Sequence, residues 1–184
     1  MDNPDISPMP KRHAFRASWH DYNDGLYFIT ICTHNNRHYF GRIVDGEMQL
    51  SAIGEIVDDA IRSIERVCHD ARLANYVVMP NHVHLIIDIE ESGCYDTPIS
   101  KGCLKPRQHE PQNTKPYHFN SRLSVIIGQM KGHVTRQTRS RGLEFAWQSR
   151  YHEHIIRNQQ GFENISRYID ANPSTWDSDC HFCL

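Results

Sequence analysis

His82 and His84 are the two side chains whose types and spacing point most directly to chemistry in this 184-residue chain. Residues i and i+2 of a β-strand project from one face, so the two imidazoles would stand side by side. The alternating apolar residues of the run 83–89 would fill the opposite, buried face and fix the register. Neutral imidazoles bind divalent metal ions, and an oxygen or amide could supply a third ligand. The alternative is two ordinary histidines on a polar face, since the chain has 13 histidines.

Tyr168 and Asn172 form a second candidate pair, because a phenol and an amide four residues apart share one face of a helix. A tyrosine with a pKa near 10 is a weak nucleophile unless a metal or cation polarises its target. The pair therefore gains a catalytic meaning only if it lies opposite His82 and His84. Otherwise, Tyr168 is a packing residue and Asn172 a C-terminal cap.

Positive charge is concentrated between residues 122 and 157, where seven basic residues and two acidic ones give a local charge of +5. Segregated charge in a chain of net charge −2 is typical of a nucleic-acid-binding face, on which Phe145, Trp147 and Tyr151 could stack with bases. The alternative is a solvated helix face. The basic residues are Arg122, Lys131, Arg136, Arg139, Arg141, Arg150 and Arg157.

Composition excludes several classes of protein. Twenty Lys and Arg against 22 Asp and Glu rule out binding of nucleic acid by bulk charge. No apolar run approaches the roughly 20 residues of a membrane span, and residues 1–10 lack a signal-peptide core, so we expect a cytoplasmic protein with no membrane partner. No glycine-rich phosphate loop is present, which predicts no nucleotide cofactor.

The six cysteines should be reduced in such a compartment. Cys180 and Cys183 have the spacing of half a zinc site, but no second pair stands at a matching distance. A zinc-stabilised interaction domain is therefore a weaker alternative.

Periodicity predicts an α+β domain spanning residues 1–184, with one central, largely antiparallel sheet. Strands are expected at 26–33 and 75–89, the latter broken by Pro80, with a hairpin at 42–50 around Asp45-Gly46. Helices are expected from Ser51 through Val67, from Ser121, and from Asn158 to Pro173. Residues 90–120 lack any hydrophobic period and indicate a long flexible insert, and 144–156 indicates an extended segment.

Two motifs resemble one known family. The run Met79-Pro80-Asn81-His82-Val83-His84-Leu85-Ile86 resembles the His-hydrophobic-His motif of the HUH single-strand transposases. The stretch from Trp147-Gln148 through Tyr151-His152-Glu153-His154 to Tyr168-Ile169-Asp170-Ala171-Asn172-Pro173 resembles the C-terminal signature of their REP-associated tyrosine transposase branch. The similarity covers about residues 26–176.

The resemblance implies a ferredoxin-like (RRM-like) antiparallel sheet flanked by helices, of the HUH endonuclease type. It further implies that His82, His84 and Asn172 hold Mg²⁺ or Mn²⁺ while Tyr168 attacks a phosphate of single-stranded or hairpin DNA. The enzyme would then carry a 5′-phosphotyrosine, and strands could be rejoined without ATP. DNA contacts are expected from Arg122, Lys131, Arg136, Arg139, Arg150 and Arg157.

The same resemblance leaves some properties open. Relatives on mobile elements often carry Gln at the position of Asn172, which favours the REP-associated branch, whose members include domesticated proteins. The alternative function is therefore a non-catalytic nucleic-acid-binding protein with the same fold. A homodimer is possible, and the 90–120 insert could order on DNA, contact a partner or stay disordered.

Overall fold

A four-stranded antiparallel sheet organises the chain in a computed structural model that describes residues 24–90 and 121–178. The strands are β1 (Gly25–Cys32), β4 (Ala71–Val78), β5 (His82–Ile89) and β6 (His152–Ile156), in the spatial order β4-β5-β1-β6. The predicted α+β class with an antiparallel sheet is confirmed.

Some predictions fall outside the described residues. They include the insert beyond residue 90, the Cys180 and Cys183 pair, and the extent of the single domain over 1–184.

The hairpin of β4 and β5 turns at residues 79–81, so the predicted break at Pro80 is confirmed. Proline cannot donate to a ladder, and here it stands in the turn, where Met79 N donates to His82 O over 2.8 Å. The first residue of β5 is therefore His82.

A separate two-stranded hairpin consists of β2 (Gly41–Val44) and β3 (Glu47–Leu50). Asp45 and Gly46 both have positive φ, 53° and 78°, as the two central residues of a type I′ hairpin turn require. The prediction from the Asp-Gly dipeptide is confirmed.

Three helices cover one face of the sheet and enclose the larger core. They are α1 (Ala52–Arg62), α2 (Ile64–Val67) and α3 (Arg122–Ser140). The sheet contributes to this core the alternate residues Tyr27, Ile29, Ile31, Val83, Leu85, Ile87 and Ile89. The alternating apolar residues of β5, from Val83 to Ile89, therefore all pack on this side of the sheet.

The helix predicted from Ser51 through Val67 is present as two helices, so the prediction is wrong in its continuity and in the burial of Val67. Ser51 does cap the first turn, since its side chain accepts from Gly54 N over 3.1 Å. The helix then breaks at Ser63, and Val67 is 61% exposed rather than part of the buried stripe. Within residues 144–156, predicted to be a strand or an extended segment, the strand is His152–Ile156, and Trp147 forms an isolated bridge to Thr33.

One helix, α4 (Gln159–Ala171), packs on the other face of the sheet. Asn158 caps it as predicted, accepting from Gly161 N over 2.8 Å, and a 3-10 turn, Pro173–Ser178, follows. The buried members of the apolar cluster in this second layer are Ile86, Ile156 and Ile169. Asn75 of β4 ties the helix down by donating to Ser166 Oγ over 2.7 Å and to Asp170 Oδ1 over 2.9 Å.

The helices described between residues 24 and 178 include none with the length and apolar character that crossing a membrane requires.

A partly buried ion pair joins α3 to the sheet. The Arg122 guanidinium donates from Nε and one terminal nitrogen to both oxygens of Asp70. These hydrogen bonds lower the pKa of Asp70. The pair fixes the first turn of α3 beside the start of β4.

We predict that Asp70→Asn lowers the free energy of unfolding by about 2 kcal/mol at neutral pH, because hydrogen bonds to charged groups contribute about 1.5–3 kcal/mol. Since the pKa of Asp70 is lower in the folded than in the unfolded state, this stabilisation is present above about pH 4 and is lost as the pH falls through the folded pKa. Urea unfolding across acid and neutral pH measures both effects.

The matched control is Glu144→Gln, which breaks an ion pair to Arg37 whose two side chains are 59% and 86% exposed. Exposed pairs contribute little, so its unfolding curve should match the wild type. Equal losses in the two variants would contradict the role assigned to Asp70.

Candidate active site

The two imidazoles meet on the sheet face that carries α4. His82 Nε2 and His84 Nε2 are 3.0 Å apart, and both side chains are almost wholly buried. The expected side-by-side projection is therefore present, but the histidines lie under other groups rather than on an open polar face. The alternative of two ordinary histidines on a polar face does not account for their burial.

Asn81 sets the orientation of the first imidazole. Its amide nitrogen donates to Asn36 O over 3.2 Å, so its oxygen must be the atom that lies 2.9 Å from His82 Nδ1. A carbonyl oxygen only accepts, so His82 carries its proton on Nδ1. The lone pair of His82 then lies on Nε2, which faces His84.

Thr30 and Phe28 of β1 position the second imidazole. Thr30 is paired with His84 across the strands, and Thr30 Oγ1 lies 2.8 Å from His84 Nδ1. A hydroxyl can accept from Nδ1–H and thereby leave His84 Nε2 as a second lone pair. The Phe28 ring stacks on His84 with a centroid separation of 5.2 Å.

Trp176 covers the first imidazole from the 3-10 turn that follows α4. Its ring lies 5.9 Å from the His82 ring, and only 6% of the side chain is exposed. Sequence reasoning named neither Thr30 nor Trp176 as a site residue. The available signal for Thr30 was a hydroxyl within a strand that is otherwise apolar.

Tyr168 reaches the imidazoles from α4. Its Oη lies 3.3 Å from His84 Nε2, and the two ring centroids are 5.3 Å apart. The side chain is also 45% exposed, so the phenol borders both the histidine pair and solvent. The structure thus brings Tyr168 together with His84.

Asn172 lies one helical turn beyond Tyr168 and is 99% buried, with 1% of its surface exposed. Neither its Oδ1 nor its Nδ2 has a hydrogen-bond partner among the described residues. An unpaired buried amide costs about 1–3 kcal/mol, so this is a costly arrangement unless a ligand completes it. Asn172 is the C-cap of α4, as the alternative interpretation expects, but its side-chain amide makes no capping hydrogen bond.

These residues fit a divalent cation. Two neighbouring ligands of an octahedral ion at about 2.1 Å lie about 3 Å apart, which matches the separation of the two Nε2 atoms. A buried amide oxygen without a partner is a suitable third donor. Among residues 24–90 and 121–178, no three His, Cys, Asp or Glu side chains cluster to hold a metal, so the two histidines have no third partner of those residue types.

The basic residues do not form one patch. Arg122 is engaged by Asp70, and Lys131 Nζ donates to Gln148 O over 2.8 Å while lying 5.7 Å from the Trp147 ring. Burial lowers the pKa of Lys131. Arg136 and Arg139 are exposed on α3, on the layer opposite the histidines.

Arg150 and Arg157 flank β6 and are exposed at its two ends. Of the predicted DNA-contacting residues, these two border the edge strand β6, which pairs with β1 on the side away from β5.

Tyr151, the other tyrosine of the C-terminal motif, lies on the far side of the sheet. Its Oη is 3.3 Å from Ser124 Oγ on α3, and its ring packs against the larger core.

The fold is similar to that of a solved tyrosine transposase. A solved structure of a REP-associated tyrosine transposase bound to a REP hairpin matches 89% of this chain and 74% of its own chain, with a TM-score of 0.57 and 21% sequence identity. The resemblance in the sequence motifs is thereby confirmed for the fold.

The chain belongs to the same family as an uncharacterized protein of Haemophilus influenzae, with which it shares 32% identity over 170 residues, or 91% of each chain. No model of a known protein family matches it.

We predict that Asn172→Leu leaves the protein without metal equally stable or more stable, because it removes two unsatisfied buried polar atoms at similar volume. Mn²⁺ should stabilise the wild type by about 2.7 kcal/mol at a hundredfold excess over its dissociation constant, and the variant by less. Urea unfolding in EDTA and in Mn²⁺ measures both. The control is Asn164→Leu at an exposed position on α4, and Mn²⁺ should stabilise this variant as much as the wild type. If Mn²⁺ stabilises Asn172→Leu as much as the wild type, Asn172 is not a ligand.

Thr30→Val should raise the Mn²⁺ dissociation constant about ten- to hundredfold, as is typical when the hydrogen-bond partner of a ligating histidine is lost. Electron paramagnetic resonance of free Mn²⁺ measures the constant without any DNA. Thr138→Val removes a comparably buried hydroxyl from α3 and is the control. If both valine variants bind Mn²⁺ equally well, Thr30 does not orient His84.

Proposed function

We propose that this protein is a metal-dependent tyrosine transposase that cleaves and rejoins single-stranded DNA through a 5′-phosphotyrosine intermediate. The observation that carries the proposal is the 3.3 Å separation of Tyr168 Oη and His84 Nε2, with the phenol half-exposed. A tyrosine that only packed the helix would need neither the contact nor the exposure.

His82, His84 and Asn172 would hold Mg²⁺ or Mn²⁺. The bound ion would polarise a non-bridging phosphate oxygen and stabilise the negative charge of the leaving oxygen. The side chains around the histidines would keep them in the state that binds a metal. Asn81 and Thr30 keep both Nδ1 atoms occupied, so that both Nε2 lone pairs remain directed at one point.

Tyr168 is the proposed nucleophile. As its Oη forms a bond to phosphorus, the bond from phosphorus to the 3′ oxygen breaks, the phenolic proton is lost to solvent, and the 3′ oxygen takes up a proton. The product is a 5′-phosphotyrosine and a free 3′-OH. A 3′-OH can attack that linkage in turn and rejoin strands without ATP, in keeping with a sequence that has no phosphate-binding loop.

Two observations support DNA as the partner: the exposed basic residues near the site and the DNA bound in the structural relative. That relative was solved with a REP hairpin, which supports a single-stranded or hairpin substrate here. Arg150 and Arg157 are the best placed of the predicted phosphate contacts, since they flank the strand beside the site. Arg122 and Lys131 would contact DNA only by giving up their present partners, whereas Arg136 and Arg139 are available on α3. Cellular DNA as a substrate implies action in the cytoplasm.

The proposal predicts that wild-type protein with Mn²⁺ and labelled hairpin or single-stranded DNA forms an adduct that survives SDS. Tyr168→Phe removes the nucleophilic oxygen and should abolish the adduct while leaving DNA binding within about twofold of wild type. Gel electrophoresis of the labelled DNA measures the adduct, and fluorescence anisotropy measures binding.

Tyr151→Phe is the matched control, since that phenol lies on the opposite layer, and it should form the adduct at the wild-type rate. An adduct that persists in Tyr168→Phe and disappears in Tyr151→Phe would reverse the assignment. Salt-sensitive DNA binding with no adduct under any metal would favour the non-catalytic alternative.

A further inference from the structure

An open cavity of about 610 Å³ lies at the end of the sheet away from His82, under the first turn of α4. Its apolar lining consists of Leu26, Leu73, Ala74, Ile156 and Phe162. Leu26, Ile156 and Phe162 also belong to the small cluster on the imidazole face, so the cavity and the histidines share one side of the sheet. The catalytic roles proposed above leave this cavity unused.

Asp88 is the one carboxylate that β5 directs to this face. It follows His82, His84 and Ile86 in the two-residue alternation and lines the cavity. Desolvation, with the nearby charge of Glu90, raises the pKa of Asp88.

Asp88 also lacks a donor. Arg72, which stands opposite it on β4, donates from Nε to Glu90 over 3.1 Å instead. Within the described ranges, no group donates a hydrogen bond to the Asp88 carboxylate. A half-buried carboxylate above an apolar floor is suited to a ligand that has a flat apolar face and an N–H donor at its edge.

Between the cavity and the candidate active site, this face of the sheet is formed by β1 and β6, and we refer to that surface as the trough. Along β1, Leu26, Phe28 and Thr30 face this side, and the neighbouring strand β6 adds His152 and His154, which are exposed. Phe162 and Ile165 of α4 belong to the same apolar cluster as Leu26 and Phe28, whereas His152 and His154 leave the β6 side of this surface exposed.

The distance along the trough suits a short piece of a DNA strand. Asp88 lies four residues from His84, or roughly 13 Å at 3.3 Å per residue. That length corresponds to about four nucleotides of a stacked strand at 3.4 Å each, and fewer when the strand is extended.

We propose that the cavity is a subsite for one nucleobase of the DNA strand that the active site cleaves, and that Asp88 selects a base with an exocyclic amino group. The inference rests on the proposed function, since it requires single-stranded DNA in the trough. The apolar floor takes the face of the base, and the carboxylate accepts from the amino group, as acidic side chains do from cytosine N4. Thymine offers only an N3–H between two carbonyl oxygens, which repel a carboxylate. Arg72 and Arg157 at the rim supply positive charge for the adjoining phosphates.

The test compares labelled oligo(dC) with oligo(dT) of equal length by fluorescence anisotropy at neutral pH in EDTA, where no cleavage occurs. Both are pyrimidine strands with the same charge, so the ratio of their dissociation constants isolates the amino group. We expect the wild type to prefer oligo(dC) about tenfold, within the range of a specific contact to a base. Asp88→Leu should bring the ratio close to one, and Asp88→Asn, which keeps an acceptor oxygen, should reduce it in part.

Glu55→Gln is the control, because it removes one negative charge from α1 on the opposite layer and should keep the wild-type ratio. No oligo(dC) preference in the wild type, or a ratio that neither Asp88 variant changes, would overturn the subsite. This result is separable from the fate of the proposed function. If Tyr168 forms an SDS-stable adduct but the ratio of dissociation constants does not change in the Asp88 variants, the subsite is excluded and the proposed function stands. If the ratio depends on Asp88 but no adduct forms, the protein binds DNA without acting as a transposase.

Discussion

The alternation of side chains along β5 is the constraint on which the candidate site depends. The apolar half of the strand, from Val83 to Ile89, is committed to the core formed with α1 and α3. A shift of one residue would expose that half to the other layer, so the register is strongly fixed. His82 and His84 must therefore face α4, and their Nε2 atoms meet at 3.0 Å. The stability of the large core and the geometry of the small polar site thus have the same cause.

The polar site is assembled from separate segments, each of which adds one restraint. The β4–β5 turn supplies Asn81, β1 supplies Thr30, and the turn after α4 supplies Trp176. Buried polar groups are costly unless they are satisfied, and here both Nδ1 atoms have partners while the Asn172 amide has none. This difference singles out the Asn172 amide as the buried polar group whose hydrogen-bonding capacity the described residues leave unused, and it is why the amide is more informative than the histidines alone.

Much of the fold could be predicted from local patterns. The spacing of apolar residues distinguishes strands from helices, and the Asp45-Gly46 dipeptide suits a turn that requires positive φ at both positions. The break at Ser63 could not, since the apolar period continues through Val67 although that side chain is exposed. For the site, spacing alone placed Tyr168 and Asn172 on one helix face. Contacts that depend on register across strands or on tertiary packing, such as Thr30 with His84 or Arg122 with Asp70, have no signature in a single sequence.

The two sides of the sheet differ in how firmly they are held. Among the described residues, the apolar cluster under α4 has three buried members, Ile86, Ile156 and Ile169, with Asn75 as a polar tie, whereas the other face has an extensive core. Detaching α4 therefore exposes far less apolar surface than melting the whole domain, and its amide protons should exchange through a sub-global opening. The helix that carries the phenol is consequently the part of this molecule best able to move while the imidazoles stay in place.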